Sequence, residues 1–337
     1  MAWRAPKGKL LGLVGLSGDF MVLLGQPVLA EIILRRLKEF PNAKIHFGCR
    51  YVGCEQGDGT VTVHLEEGAE KVPVSRKCRI LVGADGGHSP VRKSLGIPLE
   101  GFTWEDFRFV AANVRYAPLD QSDWGTANLV VHPTDWSVVV KTDKGDVWRV
   151  ATGEKWDEEL GEVENRKKLT ERYRRILPGE LDAIEFLSVA AYKTHQRCAL
   201  RFLDGNVVLA GDSAHVSSCT PRTAREANVG AQLNNPIGGL GLTTGLLDAA
   251  HLGAALRQIL VDGKPYSVLQ DYADQRREVF LSKTNPSSTL QKKMLMSTEP
   301  EDVQEREKFF ALLNGPDHEE FERKLAEEQM AMATTPS

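Results

Sequence analysis

The stretch from Gly205 to Leu256 constrains the fold of this chain more than any other part of it. A short apolar run, 206–210, has the length and composition of a buried strand in a parallel sheet. Gly211 and Asp212 end this run. A carboxylate is therefore expected at the carboxyl edge of the sheet, where open α/β folds bind their ligands.

A glycine-rich loop and a helix complete this stretch. The loop lets backbone approach a ligand closely, and it contains Pro236, Gly238, Gly239 and Gly241. The next residues, 243–256, predict a helix with four apolar residues near one face, namely Leu246, Leu247, Ala250 and Ala254. Its first turn presents free N–H groups and the positive end of the helix dipole. Strand, acid, loop and helix together predict a cofactor site that accepts an anionic group.

Two motifs carry a family resemblance. The stretch above resembles the GD motif of the para-hydroxybenzoate-hydroxylase-like (group A) flavoprotein monooxygenases, the flavin-dependent aromatic hydroxylases. An earlier segment, Gly83-Ala84-Asp85-Gly86 followed by Ser89, Val91 and Arg92, resembles the DG motif of the same family. The two motifs occur in the family's order, and the resemblance extends from about residue 26 to about residue 280.

The resemblance implies an oxidoreductase and a set of flavin-binding positions. The implied enzyme is an FAD-dependent monooxygenase that uses NADH or NADPH and O2 to hydroxylate an aromatic or similar small organic substrate. Asp212 would hold the ribityl chain of FAD, and Asp85 would accept a hydrogen bond from a ribose or ribityl hydroxyl. The cofactor-binding positions that the resemblance implies are Gln26, Asp85, Gly86, Gly211, Asp212, Pro236, Gly238, Gly239, Leu240, Gly241 and Leu242. No catalytic side chain and no metal ligand are identified.

Several of these residues also have an ordinary structural interpretation. Gln26 is alternatively a surface glutamine, and Asp85 is alternatively part of a turn built on Asp and Gly. His195 fits an interdomain structural role better than that of a catalytic base. Three aromatic residues either line a pocket or fill the core, and the core is favoured: Phe109, Trp136 and Trp148.

The fold class expected is a mixture of α/β and α+β. Residues 1–100 are assigned to a partial FAD-binding, Rossmann-like domain, and 201–285 to its continuation. Residues 101–200 are assigned to a substrate domain that is mainly an antiparallel sheet, because strand patterns follow one another there with short turns such as Asp143-Lys144-Gly145. Residues 286–337 are expected to form a C-terminal helical tail.

The first βαβ unit of a dinucleotide-binding domain is not recognisable in this sequence. That unit carries G-x-G-x-x-G after its first strand. The only early glycine cluster, Gly12, Gly15 and Gly18, has a different spacing, so a strand-and-turn segment is the preferred interpretation. We therefore expect the chain to begin after the ADP-binding βαβ unit. A helix from Pro27 to Phe40 follows, with an apolar face that includes Ile33 and Leu37.

Composition excludes several classes of function. A net charge of −4 gives no electrostatic case for nucleic acid or for an anionic membrane surface. No apolar run reaches the roughly 20 residues of a transmembrane helix, and the N-terminus lacks the apolar core of a signal peptide. The five cysteines show no metal-binding spacing, and their odd number argues against a complete disulfide framework. A cytoplasmic protein is expected; the oligomeric state is left open.

The interval 216–232 departs from the family pattern. In the family the GDSAH segment leads almost directly into the proline-glycine loop, whereas here seventeen residues intervene. A Val216 codon begins with GT, and Gln232 as CAG would supply the 3′ AG of an intron. We interpret the interval as a translated, retained intron that loops out into solvent; a genuine loop insertion is the alternative.

Two other functions stay open. The first is a non-catalytic product, truncated and interrupted, that binds FAD weakly or not at all. The second is a flavin halogenase or a non-oxygenating oxidoreductase of the same fold, although the W-x-W-x-I-P signature of halogenases is absent from the sequence. The sequence does not determine the substrate or the choice between NADH and NADPH.

Overall fold

A computed structural model describes residues 1–15, 25–142, 145–155, 162–216, 219–221, 240–330 and 332. These residues form three β-sheets with helices packed against them. The predicted mixture of α and β structure, with an antiparallel sheet and C-terminal helices, is confirmed.

The strands of the described residues are numbered in chain order. They are β1 Ala2–Arg4, β2 Leu10–Leu13, β3 Cys49–Gly57, β4 Thr60–Glu67, β5 Val72–Cys78, β6 Leu81–Gly83, β7 Leu99–Arg115, β8 Ala127–Val130, β9 Ser137–Lys141, β10 Val147–Lys155, β11 Glu185–Ala199, β12 Leu203–Asp204, β13 Val207–Leu209, β14 His215–Val216 and β15 Cys219–Pro221.

The helices are numbered in the same way. They are α1 Gln26–Leu37, α2 Pro90–Ser94, α3 Ala117–Gln121, α4 Glu162–Ile176, α5 Leu240–Leu260, α6 Ser267–Val279, α7 Asn285–Met296, α8 Pro300–Leu313 and α9 His318–Met330. A single π-helical turn, Phe280–Thr284, joins α6 to α7. Within the described residues, no helix is both long enough and apolar enough to cross a membrane.

The largest sheet has nine strands in the order β14-β11-β7-β10-β9-β8-β1-β2, with β15 also paired to β11. Its neighbours are antiparallel except for β1 and β8, which run parallel. The predicted antiparallel sheet is therefore present, although β7 pairs with β10 and β11 instead of β8, because α3 carries the chain away after β7. The predicted turn between β9 and β10 is supported by the hydrogen bond from Thr142 N to Val147 O at 2.9 Å; Asp143 and Lys144 lie outside the described residues.

Both faces of this sheet are covered. Helix α4 packs its buried Tyr173 and Ile176 against one face, where Trp148 is 1% exposed. Helices α7 and α8 pack against the other face, where Phe109 and Trp136 make an edge-to-face contact with ring centroids 5.2 Å apart. The preferred interpretation of these three aromatic residues as core is confirmed by their burial.

The early glycines belong to the edge of the large sheet. Gly12 lies in β2, and a Cβ at this position would be 3.1 Å from Leu313 Cδ1 of α8. The N–H of Gly15 donates to Glu322 Oε1 at 2.8 Å, so a carboxylate faces this amide. Both contacts favour the strand-and-turn interpretation over a phosphate site; Gly18 lies outside the described residues.

The second core lies around a small sheet with the order β12-β13-β6. Strands β6 and β13 run parallel, as predicted for the apolar run 206–210 that contains β13. Helices α5 and α6 pack beside them, and Tyr272 Oη donates to Leu209 O at 3.0 Å. The remaining sheet, β3-β4-β5, is an antiparallel meander whose Val61 and Val63 join the same core.

The apolar face predicted for the helix after residue 26 is not buried by the described residues. Helix α1 ends at Leu37 instead of Phe40 and has no buried residue, and Ile33 is 43% exposed. No hydrogen bond or ion pair among the described residues joins this helix to another element.

The apolar face predicted for α5 is not the face that the fold buries. Leu246, Ala250 and Ala254 are exposed, whereas the buried residues include the polar Thr244 and Asp248. Hydrogen bonds make this burial possible, because Thr244 Oγ1 donates to Leu240 O at 2.6 Å within the helix and Asp248 accepts from three donors outside it.

Candidate functional site

The two predicted motifs lie side by side at one edge of the small sheet. Val208 pairs with Val82 and Leu209 with Gly83 in parallel register, so the carboxyl ends of β13 and β6 meet at this edge. Asp85 lies two residues after the end of β6, and Asp212 lies three residues after the end of β13. This is the edge that the sequence predicts to bind a ligand, and the fold brings both carboxylates to it.

Asp85 holds the turn that starts α2. One of its carboxylate oxygens accepts from Ser89 Oγ, and the other accepts from Val91 N at 3.0 Å. Ser89 Oγ in turn accepts from Arg92 N at 2.9 Å and caps the helix. Gly86 has a φ of 85°, which the turn requires. Asp85 nevertheless remains exposed, so the cofactor contact implied by the resemblance stays a prediction beside this structural role.

Arg92 ties the two motifs together. Its side chain is 4% exposed and donates from Nη1 to Ser213 O and from Nη2 to Gly87 O, each at 3.0 Å. Burial lowers the pKa of this guanidinium. The arginine thus fixes the distance between the Asp85 turn and the Asp212 turn.

Asp212 is placed differently from Asp85. It is half-buried, and within the described part of the chain its carboxylate makes no hydrogen bond. Burial raises its pKa to about 6, a shift that the charge of His215 opposes and the charge of Asp248 reinforces. A carboxylate that is removed from water and has no hydrogen-bond donor is ready to accept a hydrogen bond from a ligand.

Gly211 brings this turn against α5. Its φ is 60°, in the left-handed region, and a Cβ at this position would lie 3.8 Å from Gly245 Cα. The helix itself begins at Leu240, three residues before the predicted start, so Leu240, Gly241 and Leu242 form its first turn. Leu240 is 8% exposed and Leu242 is 41% exposed. Three other predicted positions, Pro236, Gly238 and Gly239, lie outside the described residues.

A buried ionic cluster lies directly behind Asp212, and the sequence analysis did not identify it. Asp248 of α5 accepts from Gly211 N at 2.9 Å, from His215 Nε2 at 2.6 Å and from Arg276 Nε at 2.7 Å. Burial opposes ionisation of Asp248, but the charges and hydrogen bonds of His215 and Arg276 outweigh it and hold its pKa below the ordinary value. The available signal was a single acid within an otherwise uncharged stretch of helix, four residues after Thr244.

The other predicted residues lie farther from this edge. Gln26 is the first residue of α1, and no described hydrogen bond links it to Asp212 or Asp85. His195 contacts a neighbouring strand of the large sheet, because its Nδ1 lies 2.7 Å from Thr103 Oγ1, and Arg197 Nη2 donates to the same hydroxyl at 2.7 Å. The interdomain role preferred for His195 stays a prediction.

Part of the interval 216–232 is paired with the large sheet. Val216 pairs with Arg197, and residues 219–221 pair with residues 192–194 of β11. The expectation that the interval loops out is wrong for these four residues, because an open strand edge can pair with extended backbone of almost any sequence. Residues 217–218 and 222–232 lie outside the described residues, and the retained-intron interpretation stays a prediction.

Comparisons with known proteins identify the family of this chain. The family described as "FAD binding domain" matches residues 6–284. The para-nitrophenol 4-monooxygenase of Pseudomonas sp. (strain WBC-3) is 37% identical over 310 residues, which are 89% of this chain and 71% of that protein. The 6-hydroxy-3-succinoylpyridine 3-monooxygenase HspB of Pseudomonas putida (strain DSM 28022 / S16) is 32% identical over 279 residues, which are 81% of this chain and 65% of that protein. The crystal structure of the p-nitrophenol 4-monooxygenase PnpA from Pseudomonas putida DLL-E4 superposes with a TM-score of 0.86 at 32% identity, covering 100% of this chain and 81% of that one.

Proposed function

The chain belongs to the FAD-binding-domain family of flavin-dependent aromatic monooxygenases, and from this premise we propose that it binds FAD and hydroxylates a small aromatic substrate. The observation that carries the proposal is the half-buried Asp212 carboxylate, which lacks a donor among the described residues and lies beside α5. A ribityl hydroxyl is a donor of the required kind.

The described residues fit FAD. Asp212 would accept a hydrogen bond from the ribityl chain, and Asp85 faces the same edge with lone pairs left over. The amides in the first turn of α5 would face the negative charge of the flavin ring, because a helix N-terminus stabilises anions. When bound, the flavin would supply the redox chemistry, taking electrons from NADH or NADPH and passing them to O2. The protein's contribution would be to bind and orient the flavin and the substrate and to exclude water from them.

Strand β11 connects the proposed cofactor edge to the large sheet. Its Arg197 and Cys198 pair with Val216 and His215, which directly follow the Asp212 turn. A substrate held against the sheet would therefore lie next to the cofactor. The names of the two relatives refer to a nitrophenol and a hydroxypyridine, both of them six-membered rings with a hydroxyl. We propose a substrate of this class, turned over in the cytoplasm, where the free thiols of the described cysteines would stay reduced.

The first experiment measures FAD binding and substrate-dependent turnover. The purified chain is titrated with FAD by flavin fluorescence, and NADH or NADPH oxidation and O2 uptake are then followed with para-nitrophenol and with 6-hydroxy-3-succinoylpyridine. We expect saturable FAD binding, with O2 uptake that depends on one of the two rings. A chain that binds FAD but oxidises the nicotinamide equally fast without any aromatic compound would contradict the hydroxylase assignment.

The second experiment tests the observation itself. Asp212→Ala removes the proposed acceptor of a charge-assisted hydrogen bond, so FAD affinity should fall by about 1.5–3 kcal/mol. Asp204→Ala is the matched control, because Asp204 lies near the opposite end of β13 and pairs with Arg201. If both variants bind FAD as tightly as the unaltered chain, Asp212 is a structural turn residue.

A second candidate function is that of a non-catalytic family member. Within the described residues β6 pairs only with β13, and α1 buries none of its side chains. The described elements therefore do not include the strand–loop–helix unit that binds the FAD pyrophosphate in dinucleotide-binding domains. A properly folded chain that gives no FAD binding at millimolar FAD would favour this alternative.

A further inference from the structure

Three ionisable residues from separate parts of the chain meet behind the Asp212 turn. Asp248 is 0% exposed, Arg276 is 1% exposed and His215 is 3% exposed. They lie on α5, on α6 and on the short strand that follows the turn. Charges this deeply buried are costly unless each is paired, so the arrangement requires a reason beyond stability.

The contacts of Asp248 bracket the turn. Its Oδ2 accepts from the amide of Gly211 and from the imidazole of His215, the residues on either side of the segment that contains Asp212. Its Oδ1 accepts from Arg276 Nε, which fixes the orientation of the carboxylate plane. One side chain of α5 thus determines where both ends of the turn lie relative to that helix.

Neighbouring groups limit the movement of this cluster. The imidazole of His215 stacks on Phe280 with ring centroids 4.8 Å apart and an interplanar angle of 20°. Arg276 Nη1 donates to Met332 O at 3.1 Å. The carboxylate therefore has one well-defined position, as a group that positions others must have.

We propose that Asp248 is a positioning residue for the cofactor: it sets the Asp212 carboxylate against the first turn of α5 so that both reach one flavin. This inference rests on the proposed binding of FAD at this edge. Asp248 itself does not touch the cofactor, since it is fully buried behind Gly211.

The alternative is that Asp248 only balances the buried charge of Arg276. The two roles differ in how they depend on side-chain length. Asp248→Glu keeps the charge but moves the carboxylate by one methylene, so it should displace the turn while still neutralising the arginine. Asp248→Asn keeps the shape of the side chain but replaces one acceptor oxygen by an NH2 donor. This donor would face another donor, either Arg276 or the Gly211 amide and the His215 ring.

The experiment compares these two variants with the unaltered chain and with Asp135→Asn. Asp135 is the matched control because it is also buried (6% exposed) and accepts from Arg175 at 2.7 and 2.8 Å, but it lies in the turn between β8 and β9, away from the Asp212 turn. FAD affinity is measured by fluorescence titration, and thermal midpoints are measured by circular dichroism. Hydrogen–deuterium exchange is followed in the FAD-free protein on the peptide that spans 207–216.

We expect both Asp248 variants to bind FAD at least tenfold more weakly and to exchange faster over 207–216. Asp135→Asn should lower the thermal midpoint but change FAD affinity by less than twofold. If Asp248→Asn does not fold, Asp248→Glu decides. Wild-type FAD affinity in Asp248→Glu would overturn the positioning role while leaving the proposed function intact. An unaltered chain that binds no FAD would overturn both.

Discussion

Asp212→Asn should stabilise the FAD-free protein, by an amount that depends on pH. Burial raises the pKa of Asp212 to about 6 from its ordinary value of 3.8. Between these two values the folded state retains a proton that the unfolded state has released, so stability is lost as the pH rises through this window and stays low above it. A shift of this size corresponds to about 3 kcal/mol at 1.36 kcal/mol per pKa unit. Because Asp212 is half-buried, solvent screening reduces this figure, and we expect a gain of about 2 kcal/mol at pH 7.5 and about 1 kcal/mol at pH 5.

Urea unfolding of the two proteins at pH 5 and pH 7.5, followed by circular dichroism, measures this gain directly. Asp204→Asn is the control, because Asp204 is paired with Arg201 near the surface and should give no stabilisation at either pH. Addition of FAD should reverse the order of stability, since only the unaltered chain offers a carboxylate to the ribityl hydroxyl. An equal gain at both pH values, or a loss at pH 7.5, would show that Asp212 is not a buried and unpaired acid.

Three further predictions concern binding and local stability. The sequence has no G-x-G-x-x-G unit, so FAD should bind at least tenfold (about 1.4 kcal/mol) more weakly than it binds to a relative that carries this unit; stoichiometric FAD that copurifies with the chain would contradict this. Asp85→Ala leaves Ser89 Oγ and Val91 N without their acceptor, so it should lower the unfolding free energy by about 1 kcal/mol, and an unchanged urea midpoint would argue against the capping role. Deletion of 216–232 should raise FAD affinity and the thermal midpoint together. Closing this loop costs little free energy, but the interval separates the Asp212 turn from the glycine loop, and both must reach one flavin. A deletion variant that unfolds, or native transcripts that all carry these codons, would identify the interval as a genuine element.

Local signals in the sequence are sufficient to predict strands that flank the site. The apolar run before Gly211 predicts a buried strand of a parallel sheet, and β13 is buried and pairs in parallel with β6. The strand patterns within 101–155 likewise predict the antiparallel sheet. These features depend on residues close to one another in sequence, so a short window contains the information that determines them.

The face of α5 could not be predicted by the same reasoning. An apolar periodicity assigns Leu246 and Ala250 to the core, but Thr244 and Asp248 are buried instead. Asp248 can be buried only because its partners come from positions 28 to 37 residues away, and their approach is a consequence of the tertiary fold. The pairing of residues 219–221 with β11 is equally non-local.

The Asp212 turn and the Asp248 cluster depend on each other electrostatically. The negative charge of Asp248 adds to the burial that raises the pKa of Asp212. His215 and Arg276 offset that charge, and His215 also acts directly on Asp212 in the opposite direction. Replacing His215 should therefore push the pKa of Asp212 higher and leave more of it protonated at neutral pH, when it is a weaker acceptor for a ligand hydroxyl. A site that needs an ionised acceptor in a half-buried turn thus requires positive charge behind the turn, and the fold supplies it through a histidine and an arginine joined to a single aspartate.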